Sequence, residues 1–205
     1  MPSLTTESVK VLIAVPTFET ILPDTFKSIY GLEIPEGVYC FFDFVRGYDC
    51  AKARNEIALE ALKHNFDYVL MVDSDIVLPS HALQSMLETP VDICLGVYPR
   101  KNTTSEQVEI FKLEHDNFVV TYNMPELENL DALIEVKGGG FGCALLRTEI
   151  FGTLPFPWFR YVTYQTGDVL SEDNYFCSKA AKNGVTIYCD PRVKCGHAVR
   201  SIQWR

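Results

Sequence analysis

Five apolar residues in a row, Tyr68-Val69-Leu70-Met71-Val72, run directly into Asp73-Ser74-Asp75. An apolar run of that length without alternation reads as a strand buried on both faces, which confines it to a sheet covered by helices on two sides. In open sheets of this kind ligands bind beyond the carboxyl ends of the strands, and Asp73 and Asp75 stand at that end. Successive strand residues point to opposite faces, so residues i and i+2 return to one side. Two carboxylates so placed repel each other and are costly to desolvate unless a cation lies between them. A hard divalent ion with oxygen ligands is the natural occupant. The ordinary alternative is a turn after a strand, where aspartate is favoured.

The surrounding pattern agrees with such a sheet. Val9–Val15 reads as a first buried strand stopped by Pro16, and residues 20–30 as a helix with Pro23 in its first turn. Val38–Val45 is a second strand, rich in aromatic and β-branched residues. Residues 50–64 form a helix with Asp49 as cap, residues 79–88 a helix opened by proline, and residues 91–97 a fourth strand. Strands alternating with helices predict an α/β fold with a mainly parallel sheet flanked by helices. Beyond residue 97 the pattern changes. A hairpin is expected over 108–113 and 118–122, a polar excursion over 125–132, a short strand over 144–146 and a helix from Thr148. A helix over 173–182, capped by Ser171 and ended by Asn183-Gly184, precedes a last strand over 185–188. No repeat or low-complexity linker interrupts the 205 residues, so a single domain over 1–205 is expected.

Composition excludes several functions. The formal net charge of −9 argues against nucleic acid as the main partner, because phosphate neutralisation needs Lys and Arg. A phosphorylated ligand would need local help from a metal, an arginine or backbone amides. The seven cysteines are odd in number and show no C-x-x-C spacing, so neither a disulfide framework nor a zinc site is expected. Residues 1–10 are polar and no run approaches about 18 apolar residues, so the sequence predicts neither a secretory leader nor a transmembrane helix and suggests a cytoplasmic protein.

Five further segments carry chemistry. Ser171-Glu172-Asp173 opens a helix, where acids are stabilised by the macrodipole; one of them could instead serve as a general base at a cleft. Lys137-Gly138-Gly139-Gly140-Phe141-Gly142 has neither P-loop nor Rossmann spacing, and suits either a flexible loop or close approach of backbone to a ligand. Cys195-Gly196-His197 supplies an imidazole that could complete a metal shell beside the aspartates. Arg54 is either a solvated helix residue or a planar cation for a phosphate or nucleobase. In the apolar loop 154–159, Trp158 either closes the core or stacks on a sugar ring.

In order and spacing these pieces resemble the GT-A glycosyltransferases, particularly the family 2-like enzymes. Val15-Pro16-Thr17-Phe18-Glu19 looks like their nucleotide loop, Ala51-Lys52-Ala53-Arg54-Asn55-Glu56 like their "ARN" helix, and Asp73-Ser74-Asp75 like their DxD motif. Gly138 to Gly142 looks like the glycine loop near the donor sugar, Ser171-Glu172-Asp173 like the "ED" motif, and His197 like the C-terminal histidine of the metal site. The resemblance spans about residues 9 to 198. It implies a GT-A domain, with residues 9–100 holding the nucleotide and 101–205 the donor sugar and acceptor. It implies a metal-dependent transfer of a sugar from a nucleoside-diphosphate sugar, UDP-sugar favoured, to an acceptor hydroxyl. Asp75 and His197 would bind Mn2+ or Mg2+, with Asp73 on the metal or the ribose. Pro16, Thr17, Glu19, Arg54 and Ser74 would line the nucleotide, and Asp43, at the end of the second strand, would read the base. Gly139, Gly140, Phe141 and Trp158 would meet the donor sugar or acceptor. Asp173, or else Glu172, would be the general base, which implies inversion. The closeness of Arg205 to His197 suggests a minimal transferase without the acceptor- or membrane-binding helices of larger relatives.

Other readings of the same residues exist. Asp73 and Asp75 also fit the nucleophile and acid/base of haloacid-dehalogenase-like phosphatases, although that motif normally ends the first strand. A sugar-nucleotidyltransferase would need an N-terminal glycine-rich phosphate loop, which residues 15–19 lack. A non-catalytic sugar-nucleotide or glycan-binding module would keep the DxD and dispense with the base.

Overall fold

The computed structural model describes residues 8–47, 49–101, 106–113 and 119–198. The chain runs β1 (Val9–Thr17), α1 (Pro23–Tyr30), β2 (Val38–Arg46), α2 (Cys50–Lys63), β3 (Tyr68–Val72), β4 (Ile76–Val77), α3 (Ala82–Glu88) and β5 (Ile93–Val97). It continues β6 (Gln107–Leu113), β7 (Val119–Asn123), α4 (Met124–Leu127), β8 (Ile134–Val136), β9 (Gly138–Gly139), β10 (Cys143–Arg147) and α5 (Ile150–Thr153). The last elements are β11 (Val162–Thr163), β12 (Val169–Leu170), α6 (Glu172–Lys182), β13 (Ile187–Lys194) and β14 (Gly196–His197). The hairpin expected after residue 107 is β6 and β7; its expected member Phe118 lies outside the described residues.

The central sheet has the order β2-β1-β3-β10-β5-β13-β8. β2, β1 and β3 are parallel, as are β5 and β13. β10 lies antiparallel between β3 and β5, and β8 antiparallel against β13. The sheet is therefore mixed but mostly parallel, as the alternating pattern predicts. The reversed β10 has a consequence for the site. Its amino end lies at the same edge as the carboxyl ends of β1, β3 and β5. The glycine segment before β10 thus lands beside the turn after β3, where the Asp73 amide donates to the Gly142 carbonyl at 3.0 Å.

Apolar residues on the two faces of the sheet form two cores. One packs Leu12, Ala14, Val69, Met71 and Leu95 against α2 and α6 through Ala51, Ile57, Ala58, Ala61 and Phe176. The other packs Val11, Ile13, Leu70 and Val72 against α1 and α3 through Ile29, Leu83 and Met86. β3 is buried on both sides because it meets both cores. The small residues of α2 let it lie close to the sheet, and its first turn is fixed by Asp49, whose Oδ1 accepts from the amides of Ala51 (2.8 Å) and Lys52 (3.2 Å).

Two strands run through a proline beyond their expected ends. β1 continues through the buried Pro16 to Thr17 rather than stopping before the proline. β13 continues through Pro191 to Lys194, because the register shifts between Asp190 and Lys194 and proline is tolerated at such an irregularity. All seven cysteines are free thiols, five of them buried, in keeping with the sequence. Among the described residues no helix is long and apolar enough to cross a membrane.

Candidate functional site

The chain leaves β3 at Val72 and turns at once: the Ile76 amide donates to the Asp73 carbonyl at 3.0 Å. The two-residue alternation of a strand therefore stops before Asp73, and the two carboxylates do not share one cation. Asp73 turns inward, where its Oδ1 accepts from Arg54 Nη2 at 2.8 Å. Asp75 turns outward, where Oδ2 meets the Lys101 ammonium and Oδ1 lies 3.6 Å from His197 Nε2.

Arg54 is neither a solvated helix residue nor positioned to read a nucleotide. Only 2% exposed, it donates from Nε to Glu172 Oε1 at 3.2 Å and from Nη1 to the Phe141 carbonyl at 3.3 Å, besides its bond to Asp73. One planar fork thus ties α2 to the turn after β3, the start of α6 and the glycine segment, a task that suits guanidinium and its fixed donors. The charges of Asp73 and Glu172 outweigh burial and raise its already high pKa. Its neighbour Asn55 clamps the 154–159 loop. Asn55 Oδ1 accepts from the amides of Trp158 and Phe159, each at 3.1 Å, and Nδ2 donates to the Phe159 carbonyl at 2.7 Å.

His197 reaches Asp75 through a short pairing absent from the sequence pattern. β14 lies antiparallel to β4, His197 opposite Ile76, and the Ala198 amide donates to the Asp75 carbonyl at 2.9 Å. His197 Nδ1 lies 2.7 Å from the Pro99 carbonyl. A carbonyl can only accept, so Nδ1 carries a proton and Nε2 is the nitrogen presented to Asp75. Burial disfavours the imidazolium, but bonding to Asp75 and Pro99 outweighs it and raises the pKa of His197. Burial likewise opposes ionisation of Asp75, yet the hydrogen bonds of His197 and Lys101 win and hold its carboxyl at about 2.

Among the described residues no three His, Cys, Asp or Glu side chains converge on one point. The expected trio Asp73, Asp75 and His197 is split by Arg54, which takes Asp73. The remaining pair still fits a hard dication. Asp75 and His197 present an oxygen and a nitrogen side by side, the histidine is oriented by its second nitrogen, and a lysine cation already occupies the carboxylate. An ion held by so few protein ligands completes its shell with water.

Beside Asp75 opens a cavity of about 440 Å3 lined by Phe18, Glu19, Thr20, Leu22, Ser74, Lys101 and Ala198. The Leu22 amide donates to the Ser74 carbonyl at 3.0 Å, which fastens the loop after β1 to the turn after β3. Glu19 and Ser74 of the expected nucleotide residues line this space. Pro16 and Thr17 end β1 just below it. Phe18, 52% exposed, and Lys101 line it without having been singled out. Asp43 is elsewhere: β2 runs three residues past it to Arg46, and Asp43 lines surface depressions with Glu60. In the register it stands level with Ala14 and Met71.

The glycine segment makes close approaches, but to its own protein. A Cβ on Gly139 would meet the Glu109 carbonyl at 2.6 Å, and one on Gly140 the Tyr98 hydroxyl at 2.0 Å. The segment is packed rather than flexible, and the Tyr98 hydroxyl accepts from the Gly142 amide at 3.0 Å. Phe141 and Trp158 are core residues, 1% and 4% exposed. Phe141 packs edge-on against Phe159 and Phe176, and Trp158 packs against Phe151 while its Nε1 donates to the Leu154 carbonyl at 3.0 Å. Neither ring offers a face to a sugar.

At the start of α6 the two acids separate by role. Glu172, 6% exposed, is held by Arg54. Asp173 is half-buried. Its Oδ1 accepts from the Asn174 amide at 2.7 Å and from the Ser171 hydroxyl. Ser171 thus spends its hydroxyl on Asp173 rather than on a cap bond to the helix amides. Among the described residues no hydrogen bond reaches Asp173 Oδ2. Burial, then the charge of Glu172, raises the pKa of Asp173 against the opposing pull of Ser171, Arg54 and the Asn174 amide.

No family model matches the sequence, and no curated protein matches it. Solved structures do resemble the fold. A197 from STIV superposes with a TM-score of 0.60 at 17% identity, over 94% of this chain and 87% of that one. GalNAc-T7, solved with UDP, GalNAc and Mn2+, superposes with a TM-score of 0.63 at 9% identity over 98% of this chain; the chain spans 46% of its length. The fold is of the GT-A type.

Proposed function

We propose that this chain is a metal-dependent glycosyltransferase that moves a sugar from a nucleoside-diphosphate sugar, UDP-sugar favoured, to an acceptor hydroxyl. The observation that carries the reading is the meeting of Asp75 and His197 at the carboxyl edge of the sheet, beside a cavity, in a fold shared with GalNAc-T7. Residues 9–100 supply most of the nucleotide side, and residues 101–205 the glycine segment, the base and His197. Seven unpaired thiols suit a reducing, cytoplasmic setting.

On this reading Asp75 and His197 hold Mn2+ or Mg2+, which when bound offsets charge on the leaving diphosphate. Glu19, Ser74 and the exposed ring of Phe18 line the nucleoside. Arg54 positions: it keeps the Asp73 turn and the first turn of α6 at fixed spacing. Asp173 Oδ2 takes the proton of the acceptor hydroxyl as that oxygen attacks the anomeric carbon, with inversion. Its raised pKa makes it a stronger base than an ordinary carboxylate. Glu172, committed to Arg54, holds the helix start and is not the base.

The test is UDP release. Incubated with Mn2+ and a panel of UDP-sugars, the protein is expected to release UDP slowly by hydrolysis, and faster when the right hydroxyl acceptor is added. Release of inorganic phosphate from simple phosphomonoesters, with no UDP from any donor, would favour the phosphatase reading instead.

A further inference from the structure

The two aspartates of the turn are partnered by unlike cations, and the contrast assigns them different duties. Asp73 is held by Arg54, a planar group 2% exposed and bonded to three parts of the fold. Asp75 is held by Lys101, 45% exposed, on a long stem that lines the cavity. A guanidinium in a buried fork stays where it is; a hydrated ammonium on four methylenes can leave without unfolding anything.

We infer that Lys101 is a built-in stand-in for the divalent cation: it neutralises Asp75 while the site is empty, and is displaced when the ion arrives. Lys101 and a dication cannot share Asp75 at close range, because like charges repel. The displaced ammonium remains at the wall of the same cavity as Glu19 and Ser74, where a diphosphate would enter, and becomes a second positive group for it. Lys101 therefore opposes ion binding in the empty site and favours nucleotide binding in the filled one. The diphosphate half of this inference rests on the transferase reading; the ion half rests only on the geometry around Asp75. A lysine with a merely structural role would not push the two ligands in opposite directions.

The experiment compares wild type, Lys101→Met and Lys101→Arg. Mn2+ binding without nucleotide is measured from the electron paramagnetic resonance of the free ion. Lys101→Met is expected to bind Mn2+ about five- to tenfold more tightly than wild type, and Lys101→Arg to stay near wild type. With saturating Mn2+, Lys101→Met is expected to bind UDP about tenfold more weakly. Thermal melting should be unchanged, since the side chain is exposed. Equal or weaker Mn2+ binding by Lys101→Met would overturn the stand-in. Tighter Mn2+ binding by Lys101→Met, with no UDP binding by any of the proteins, would establish the stand-in and remove the nucleotide-sugar reading.

Discussion

Replacing Arg54 with methionine is expected to destabilise the fold by about 3 kcal/mol or more, because removing one partner of a buried ion pair strands the other. The stranded partner is Glu172, 6% exposed. Asp73, about a third exposed, loses less because water can reach it. The Phe141 carbonyl loses its donor as well. Adding Glu172→Gln to Arg54→Met should recover part of the loss, since the buried charge is then gone. Arg54→Lys should fail to rescue, because one ammonium cannot reach Asp73, Glu172 and the Phe141 carbonyl together. Denaturant midpoints for the three variants check this. If Arg54→Met matched wild type within experimental error, Arg54 would not be the tie between α2, the Asp73 turn and α6.

The Asp173→Asn variant is expected to lose transfer by about 10²-fold or more while keeping UDP affinity, since a general base contributes to the chemical step alone. Asn keeps the shape, and can still accept from Ser171 and the Asn174 amide through its oxygen. The pH dependence sharpens the test. The pKa of Asp173 is raised by burial and by Glu172, so kcat/KM should fall as pH drops through a value above the usual carboxylate range, and this limb should vanish in Asp173→Asn. Stability runs the other way. A carboxyl whose folded pKa is raised binds its proton more tightly in the native state, so its contribution is fully present below the unfolded pKa and is lost as pH rises through the folded one. At neutral pH the asparagine variant should therefore be no less stable than wild type. An unchanged transfer rate would remove Asp173 from the base role.

Much of this arrangement is legible in the sequence, for identifiable reasons. β3 falls at the expected residues because a run buried on both faces has one reading. α2 does too, because Asp49 marks its start and small apolar residues recur at helical spacing. The orientation of β10 was not legible, since a buried apolar run looks the same in parallel and antiparallel pairings. Nor were β4 and β14, two residues each, which alone bring His197 to Asp75. The most instructive departures concern burial. Arg54, Phe141 and Trp158 are residue types that often touch ligands, and here each faces the interior. Lys101 follows the carboxyl end of β5, the same edge as Asp75, and that position was a signal available in the strand assignment.

The most direct test of the account is a calorimetric titration of UDP into wild type and Asp75→Ala, each with Mn2+ and with a chelator. Tight binding by wild type with Mn2+, weak binding with chelator, and no effect of Mn2+ on Asp75→Ala are expected. Equal UDP affinity with and without the ion, or full Mn2+-dependent binding by Asp75→Ala, would contradict it.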